Sequence, residues 1–230
     1  MTMNIGEKPI ASKNGLLTTI GWGLDGKVTY LMEGIVYNSG STLQWLRDEL
    51  KLIDKYSETE LFASKAKSES EVYVVPAFNG FAAPYWEPYA RGAIFGLSRD
   101  SGKNEIIRAT LESLTYQTKD LIDALAEDFG EKLTLLKVDG GGCRSDPMNQ
   151  FTADLLNMEV ERPKNVETTA AGAAYLAGLA VGFWKDLDDI TGSRKIDKVF
   201  HPNMDESERT ARYKGWKRAV NATLAWSKDK

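Results

Sequence analysis

Residues 135–151, LLKVDGGGCRSDPMNQF, run an apolar stretch directly into three consecutive glycines and then into the pattern of a capped helix. Pro147 suits the first helical position because the N–H that it lacks would have no intrahelical partner there. Asp146, just before it, suits the N-cap. The segment therefore predicts a strand, a tight turn and a helix in direct succession, a unit typical of α/β folds.

The glycine run, residues 140–142, allows two interpretations. Glycine adopts positive φ without steric cost, so the run can serve only the change of direction between strand and helix. Glycines also present no Cβ, and the N–H groups of a helix N-terminus attract anions, so the same run can hold a nucleotide. The spacing fits neither G-x-x-x-x-G-K-[ST] nor G-x-G-x-x-G. From the residues alone, both interpretations stay open.

The rest of the chain predicts strands and helices interleaved around this unit. Asp25-Gly26 offers the turn of a β-hairpin, and a helix follows over residues 39–54 with Ser39 or Ser41 as N-cap. A long helix is predicted over residues 104–128, capped by Asn104 and ended by Gly130. The other predicted elements are strands in EVYVVPAFNGF, GAIFGLS and MEVERPK, an ordered loop in AAPYWEPYARG, a small-residue helix in TTAAGAAYLAGLAVGFW able to approach another element closely, and a closing helix over residues 205–227. No linker divides the chain, so one α/β domain over residues 1–230 is predicted.

Composition excludes several classes of function. The formal net charge is −4 and Lys and Arg form no stripe, which argues against nucleic acid as a partner. Cys143 and His201 are the only cysteine and histidine, so neither an internal disulfide nor a Cys/His zinc site is expected. No apolar run is long enough to span a membrane, and the first residues lack the features of a secretory signal. A cytoplasmic location is expected.

Several segments together resemble the carboxy-terminal half of the FGGY carbohydrate kinase family. They are KVTYLMEGIVYNSGSTLQWLRDEL, APYWEPYARGAIFGL, IIRATLESLTYQT, KVDGGGCRSDPMNQFTADLL and TAAGAAYLAGLAVGFW. The resemblance covers almost the whole chain, and its most specific segments are more similar to family members that phosphorylate glycerol than to those that act on sugars. It implies a ribonuclease H-like fold of the actin, Hsp70 and hexokinase type, with a mixed sheet flanked by helices and its first strands missing.

The resemblance also implies an adenine-nucleotide site. Gly40 and Gln44 match positions that contact ATP, and Gly141 matches the glycine that packs against the adenosine. Where related glycerol-phosphorylating enzymes commonly carry Asn, this chain has Ser145, in a GGGCRS segment closer to pentulose kinases. A hydroxyl lacks the paired donor and acceptor of an amide. The resemblance therefore favours the ligand interpretation of the glycine run, with Ser145 as its weakest contact.

The resemblance places the reacting groups elsewhere. The general base, the phosphate-binding loop and the polyol-binding residues would belong to an amino-terminal domain that this sequence lacks, so no catalytic residue and no Mg²⁺ ligand is assigned here. The intact enzyme would use ATP, with Mg²⁺, and glycerol, while this chain alone would be inactive. The alternatives are a kinase for another polyol or a pentulose, and a stand-alone interaction module of a split kinase. An exposed sheet edge is expected to make the chain a homo-oligomer.

Overall fold

A computed structural model describes residues 1–228. The chain folds as two compact units, the first comprising Met1–Leu133 with the segment from Met204 onward, and the second Thr134–Asn203. In chain order the elements are β1 (Thr2–Gly6), β2 (Leu17–Leu24), β3 (Lys27–Glu33), α1 (Gly40–Asp48), α2 (Thr59–Ala63), β4 (Tyr73–Val75), β5 (Ala93–Phe95), α3 (Lys103–Phe129), β6 (Leu135–Lys137), α4 (Asp146–Leu156), β7 (Glu159–Pro163), α5 (Thr168–Ala180), α6 (Leu187–Ser193), β8 (Ile196–Phe200) and α7 (Glu206–Ser227). Within residues 1–228, no helix is both long and apolar enough to cross a bilayer.

The predicted hairpin is confirmed in the first unit. Strands β2 and β3 pair antiparallel, and Asp25 and Gly26 have φ values of 51° and 76°. Positive φ at both turn positions matches the right-handed twist of the strands. Strand β1 pairs with the other side of β3, which makes β3 the central strand of the sheet. This first strand was not predicted.

The long helix of the first unit begins earlier than its sequence suggests. The prediction that Asn104 is its N-cap is wrong, because Gly102 occupies that position. The Glu105 carboxylate accepts hydrogen bonds from the N–H groups of Gly102 at 2.8 Å and Lys67 at 3.1 Å. A carboxylate in the first turn also suits the positive end of the helix dipole. The helix ends as predicted, with Gly130 in the left-handed conformation at φ 80°.

Helix α7 returns to the first unit and packs on α3. It forms within one residue of the predicted start, and its Trp216 and Val220 are fully buried. The indole of Trp216 stacks on the ring of Tyr116 from α3, with 5.3 Å between ring centroids. Burial of two large aromatic rings stabilises this helix pair by several kcal/mol, at roughly 25 cal/mol per Å² of apolar surface.

The predicted ordered loop lies between β4 and β5, which pair antiparallel. Residues 76–92 contain no regular helix or strand. Gly80, at φ 83°, passes so close to the following chain that a Cβ there would lie 2.7 Å from Pro88 Cα. Glycine is therefore required at this position by both conformation and space.

The second unit is built on a mixed three-stranded sheet. Strand β6 is parallel to the central strand β7, and β8 is antiparallel to it. Ala153 of α4, Val160 of β7 and Phe200 of β8 form the core of this unit. Strand β8 and helix α6 were not predicted. The mixed strand directions of this sheet agree with the predicted fold class.

Helix α5 of the second unit is apolar in sequence but largely exposed. Gly178 is its one buried residue, and a Cβ there would collide with the ring of Trp184. Leu176 on the same helix is 46% exposed, and Phe183 just beyond its end is 75% exposed. The close contact at Gly178 is with the segment that directly follows the helix, so the predicted close approach to another element stays a prediction.

Candidate functional site

The glycine run forms the turn between β6 and α4. Gly140 has φ 73° and ψ −176°, a conformation that an L-residue with a Cβ rarely adopts. Residues Gly141–Arg144 then form one 3₁₀ turn. Gly141 and Gly142 are exposed, and a Cβ on either would meet no atom of this unit within 4 Å. Strand-to-helix geometry therefore requires glycine at position 140 alone.

The start of the turn is tied to the segment that leads into α5. The N–H of Gly140 donates to the carbonyl oxygen of Val166 at 2.9 Å. The hydroxyl of Thr168, the first residue of α5, donates to the carboxylate of the neighbouring Asp139. Backbone and side chain thus fix the point where the chain leaves the sheet.

The end of the turn is held from inside the unit. Asn149, one turn into α4, is buried and donates from Nδ2 to the carbonyl oxygen of Cys143 at 2.6 Å. The thiol of Cys143 donates to the carbonyl oxygen of Gly140 at 3.0 Å. Burial raises the pKa of the Cys143 thiol, so it stays protonated and serves as a packed donor rather than as a nucleophile.

The structure corrects the predicted cap of α4. The N-cap is Ser145 and not Asp146, because the Ser145 Oγ accepts a hydrogen bond from the N–H of Met148 at 3.2 Å. A hydroxyl that accepts one hydrogen bond can still donate another, here to a ligand. Asp146 instead lies 2.6 Å from Lys198 Nζ and 2.8 Å from Arg162 Nη1. These two cations hold the pKa of the Asp146 carboxyl below its usual value.

The other two predicted site residues lie on α1 in the first unit. Gly40 is the first residue of the helix, with Ser39 at the N-cap position as predicted, although the Ser39 side chain makes no capping hydrogen bond. Gln44 follows one turn later, and both Gly40 and Gln44 are exposed. Residues four apart share a helix face, so Gly40 and Gln44 lie side by side at the N-terminal end of α1. The helix ends at Asp48, six residues before the predicted end at position 54.

The structure thus brings the predicted residues together in two pairs, Gly40 with Gln44 and Gly141 with Ser145. The sequence did not reveal the side chains that hold the glycine turn, Asn149 and Arg162. One sequence signal could have pointed to Arg162. It stands two positions after the buried Val160 in a short strand, and because side chains alternate between the two faces of a strand, both residues lie on the same face. A cation that lies largely out of solvent requires partners.

The turn combines backbone exposure with a helix N-terminus. Bare glycine surface permits a flat ligand to lie against the backbone, and the first turn of α4 adds N–H groups and partial positive charge. The carboxylates beside the turn are already engaged, Asp139 by Thr168 and Asp146 by Arg162 and Lys198. The arrangement therefore suits an uncharged or anionic ligand better than a metal ion.

Solved structures define the class of protein. The chain is similar to the Plasmodium falciparum glycerol kinase with ADP, at 38% identity and a TM-score of 0.89, over 97% of this chain and 45% of that one. It is also similar in fold to a ligand-bound xylulose kinase from Lactobacillus acidophilus, at 24% identity and a TM-score of 0.82. Together with the mixed sheet of the second unit, these likenesses define a domain of the ribonuclease H-like fold.

The particular family follows from the sequence match. Residues 1–181 match the carboxy-terminal domain of the FGGY family of carbohydrate kinases. The chain belongs to this family, and the resemblance on which the sequence analysis rested is confirmed.

Curated relatives extend over the whole chain. The glycerol kinase of Alkaliphilus oremlandii is 55% identical over 229 residues, which cover 100% of this chain and 45% of that protein. The glycerol kinase of Pseudomonas fluorescens is 53% identical, with 46% of its length covered. The chain thus spans about half the length of the curated relatives it matches, and it corresponds to their carboxy-terminal part.

Proposed function

We propose that this chain is the ATP-binding half of an enzyme that transfers the γ-phosphate of ATP to glycerol, giving ADP and glycerol 3-phosphate. The observation that carries the proposal is the bare backbone of Gly141 and Gly142, which the fold of the second unit does not require. We infer glycerol as the substrate from curated relatives that are named glycerol kinase and are more than 50% identical to this chain. Residues 1–230 would then form one carboxy-terminal domain, working in the cytoplasm.

Each predicted site residue has a role in this proposal. Gly141 packs against the adenosine, and the hydroxyl of Ser145 donates one hydrogen bond to it while its oxygen caps α4. In the first unit, Gly40 and Gln44 offer a helix N-terminus and a side-chain amide for contact with ATP. The turn needs no lysine, because in this proposal the phosphates bind to the amino-terminal half of the enzyme.

Catalysis would depend on groups outside this chain. ATP enters phosphoryl transfer with Mg²⁺, which neutralises charge on the transferring phosphoryl group. The residues beside the turn do not fit such an ion, since the carboxylates of Asp139 and Asp146 are taken up by protein donors. We therefore assign neither a Mg²⁺ ligand nor a general base to this chain, and we propose that it is inactive alone.

The nucleotide site is tested by titrating ADP into the 230-residue chain and following it by ligand-observed NMR. We expect a dissociation constant of about 0.1–1 mM, because the chain supplies only one side of the site. Gly141→Val should weaken ADP binding at least about fivefold without lowering the melting temperature, since its side chain would enter open space.

Gly192→Val is the matched control, because Gly192 in α6 also has open space around it and no positive φ. It should leave ADP binding unchanged. Equal ADP binding by wild type and Gly141→Val would contradict the proposed site. Nanomolar ADP affinity of the wild-type chain would contradict the proposal that this chain supplies only part of the nucleotide site.

The substrate is tested on the full product of the reading frame that contains this chain. ATP-dependent phosphorylation should be faster with glycerol than with xylulose or another pentulose, and the 230-residue chain alone should phosphorylate neither. A preference for a pentulose would overturn the glycerol assignment. Phosphorylation of glycerol by the isolated chain would overturn its assignment as a nucleotide-binding half.

A further inference from the structure

Arg162 on β7 reaches across the second unit to the end of the glycine turn, and its side chain is only 12% exposed. Its Nη1 lies 3.1 Å from the carbonyl oxygen of Cys143 and 3.2 Å from that of Arg144. The same nitrogen lies 2.8 Å from Oδ1 of Asp146, the first residue of α4. One guanidinium therefore holds both the end of the turn and the start of the helix.

The guanidinium is itself held in place by Asp197 of β8. Its Nε and Nη2 each lie 2.8 Å from Asp197 Oδ2. Strands β7 and β8 pair directly, so Arg162 and Asp197 are supported by the same sheet. A planar guanidinium bound by a carboxylate on one edge and by three oxygens on another has little freedom to rotate. The sheet thereby transmits its rigidity to the turn.

The turn has particular need of such restraint. Glycine has more backbone freedom than any other residue, so a free run of three glycines would lose much conformational entropy when a ligand fixes it. That loss subtracts directly from binding affinity unless the turn is ordered beforehand. Asn149 also binds the Cys143 carbonyl, but Arg162 adds the Arg144 carbonyl and the helix start.

We propose that Arg162 is a positioning residue that orders the glycine turn for the nucleotide, a role that rests on the proposed function. It acts through the backbone of Cys143 and Arg144. Replacement of Arg162 therefore leaves the turn less ordered in the absence of ligand, which weakens nucleotide binding. The weakening exceeds that caused by a substitution with the same loss of overall stability.

The test compares Arg162→Met with wild type in the complete 230-residue chain. We expect ADP to bind about tenfold more weakly to Arg162→Met, and the amide hydrogens of residues 141–145 to exchange faster in the absence of ligand. Arg162→Lys keeps the charge but offers a point donor in place of a planar fork, so it should restore part of the affinity.

Arg194→Met is the matched control. Arg194 pairs with Glu161 on the same strand, β7, and has no hydrogen bond to the glycine turn within the described chain. It should lower the melting temperature by a similar amount while leaving ADP affinity within about twofold of wild type.

The outcomes separate the two proposals. Failure of the wild-type chain to bind ADP overturns the proposed function and with it the nucleotide role of Arg162. ADP binding by wild type and by Arg162→Met with equal affinity overturns the role of Arg162 alone. Equal weakening by Arg162→Met and Arg194→Met also overturns it, because a general loss of stability would then explain both.

Discussion

The indole N–H of Trp216 donates a hydrogen bond to Oδ2 of Asp120 at 2.8 Å, within the buried contact between α7 and α3. The other carboxylate oxygen, Oδ1, accepts from the hydroxyl of Tyr213 at 2.6 Å and from Lys217 Nζ at 3.2 Å. Burial and the negative charge of Asp120 raise the pKa of Tyr213, so the phenol stays a donor. One carboxylate thus anchors a helix that returns to the first unit from 96 residues away in sequence.

Asp120→Asn should destabilise the chain strongly. The amide offers a single acceptor oxygen and removes the charge opposite Lys217, so buried donors lose their partners. We expect the free energy of unfolding to fall by about 2–4 kcal/mol in urea denaturation. Asp123→Asn on the same helix is the control, since its pair with Lys119 is exposed and should contribute less than about 0.5 kcal/mol. Equal effects of the two substitutions would contradict this account.

Gly140→Ala and Gly141→Ala should differ in their effect on stability. Alanine at position 140 would have to adopt φ 73° with ψ −176°, which costs about 1–3 kcal/mol. Alanine at position 141 has open space and no positive φ, so its effect should stay within about 0.5 kcal/mol. Thermal unfolding of the two variants measures the difference. A large loss for Gly141→Ala would show that the turn needs this glycine for folding.

Glu105→Gln should make the free energy of unfolding less dependent on pH in the acid range. The N–H of Gly102, opposed by desolvation and assisted by the N–H of Lys67, lowers the pKa of Glu105 from 4.5. A lowered folded-state pKa gives stability that is present above about pH 4.5 and lost as pH falls through the folded value. The variant should be less stable by about 1–2 kcal/mol at pH 7, with the difference shrinking toward pH 3.

Glu127→Gln provides the control for that profile, because Glu127 is exposed on the same helix. Its denaturation curves between pH 3 and pH 7 should follow those of wild type. If the free energy of unfolding of Glu105→Gln ran parallel to that of wild type across this range, the pH-dependent contribution of the Glu105 carboxylate would be refuted.

Ile20→Lys should reduce self-association. Ile20 lies on β2, an edge strand of the first sheet, and is 64% exposed. Exposed apolar edge strands pair with other chains, and lysine on the edge prevents it. We expect dimers or larger species of the wild-type chain in sedimentation velocity at high concentration, and fewer with the variant. Val28→Lys on the central strand β3 is the control, and a strictly monomeric wild type would contradict the prediction.

Local sequence signals predicted the hairpin, the long helix and the strand–turn–helix unit, because each depends on nearby residues. Caps were misplaced by one or two residues at Asp146 and Asn104, since several neighbouring side chains satisfy the same pattern and packing decides among them. Strands β1 and β8 were missed because each contains a single buried residue, so neither shows the apolar alternation that predicts a strand.

The residues alone left the glycine run undecided between a turn and a ligand site, and family resemblance favoured the ligand site. The contacts of the predicted site residues with nucleotide remain predictions. The contacts by which Arg162 restrains the turn could not be predicted from the sequence, for a different reason. Arg162 binds carbonyl groups 18 and 19 residues earlier in the chain, and no local pattern connects a strand residue to such partners. Pairing of β6 with β7 brings them together.

The open surface at Gly141 and Gly142 also determines which genetic experiments can detect this site. A mutational scan selected on abundance or protease resistance would record almost every small residue at these two positions as neutral. A scan selected on growth that depends on the kinase reaction would record the same substitutions as damaging. The disagreement between the two maps, position by position, would outline the ligand's footprint on the chain.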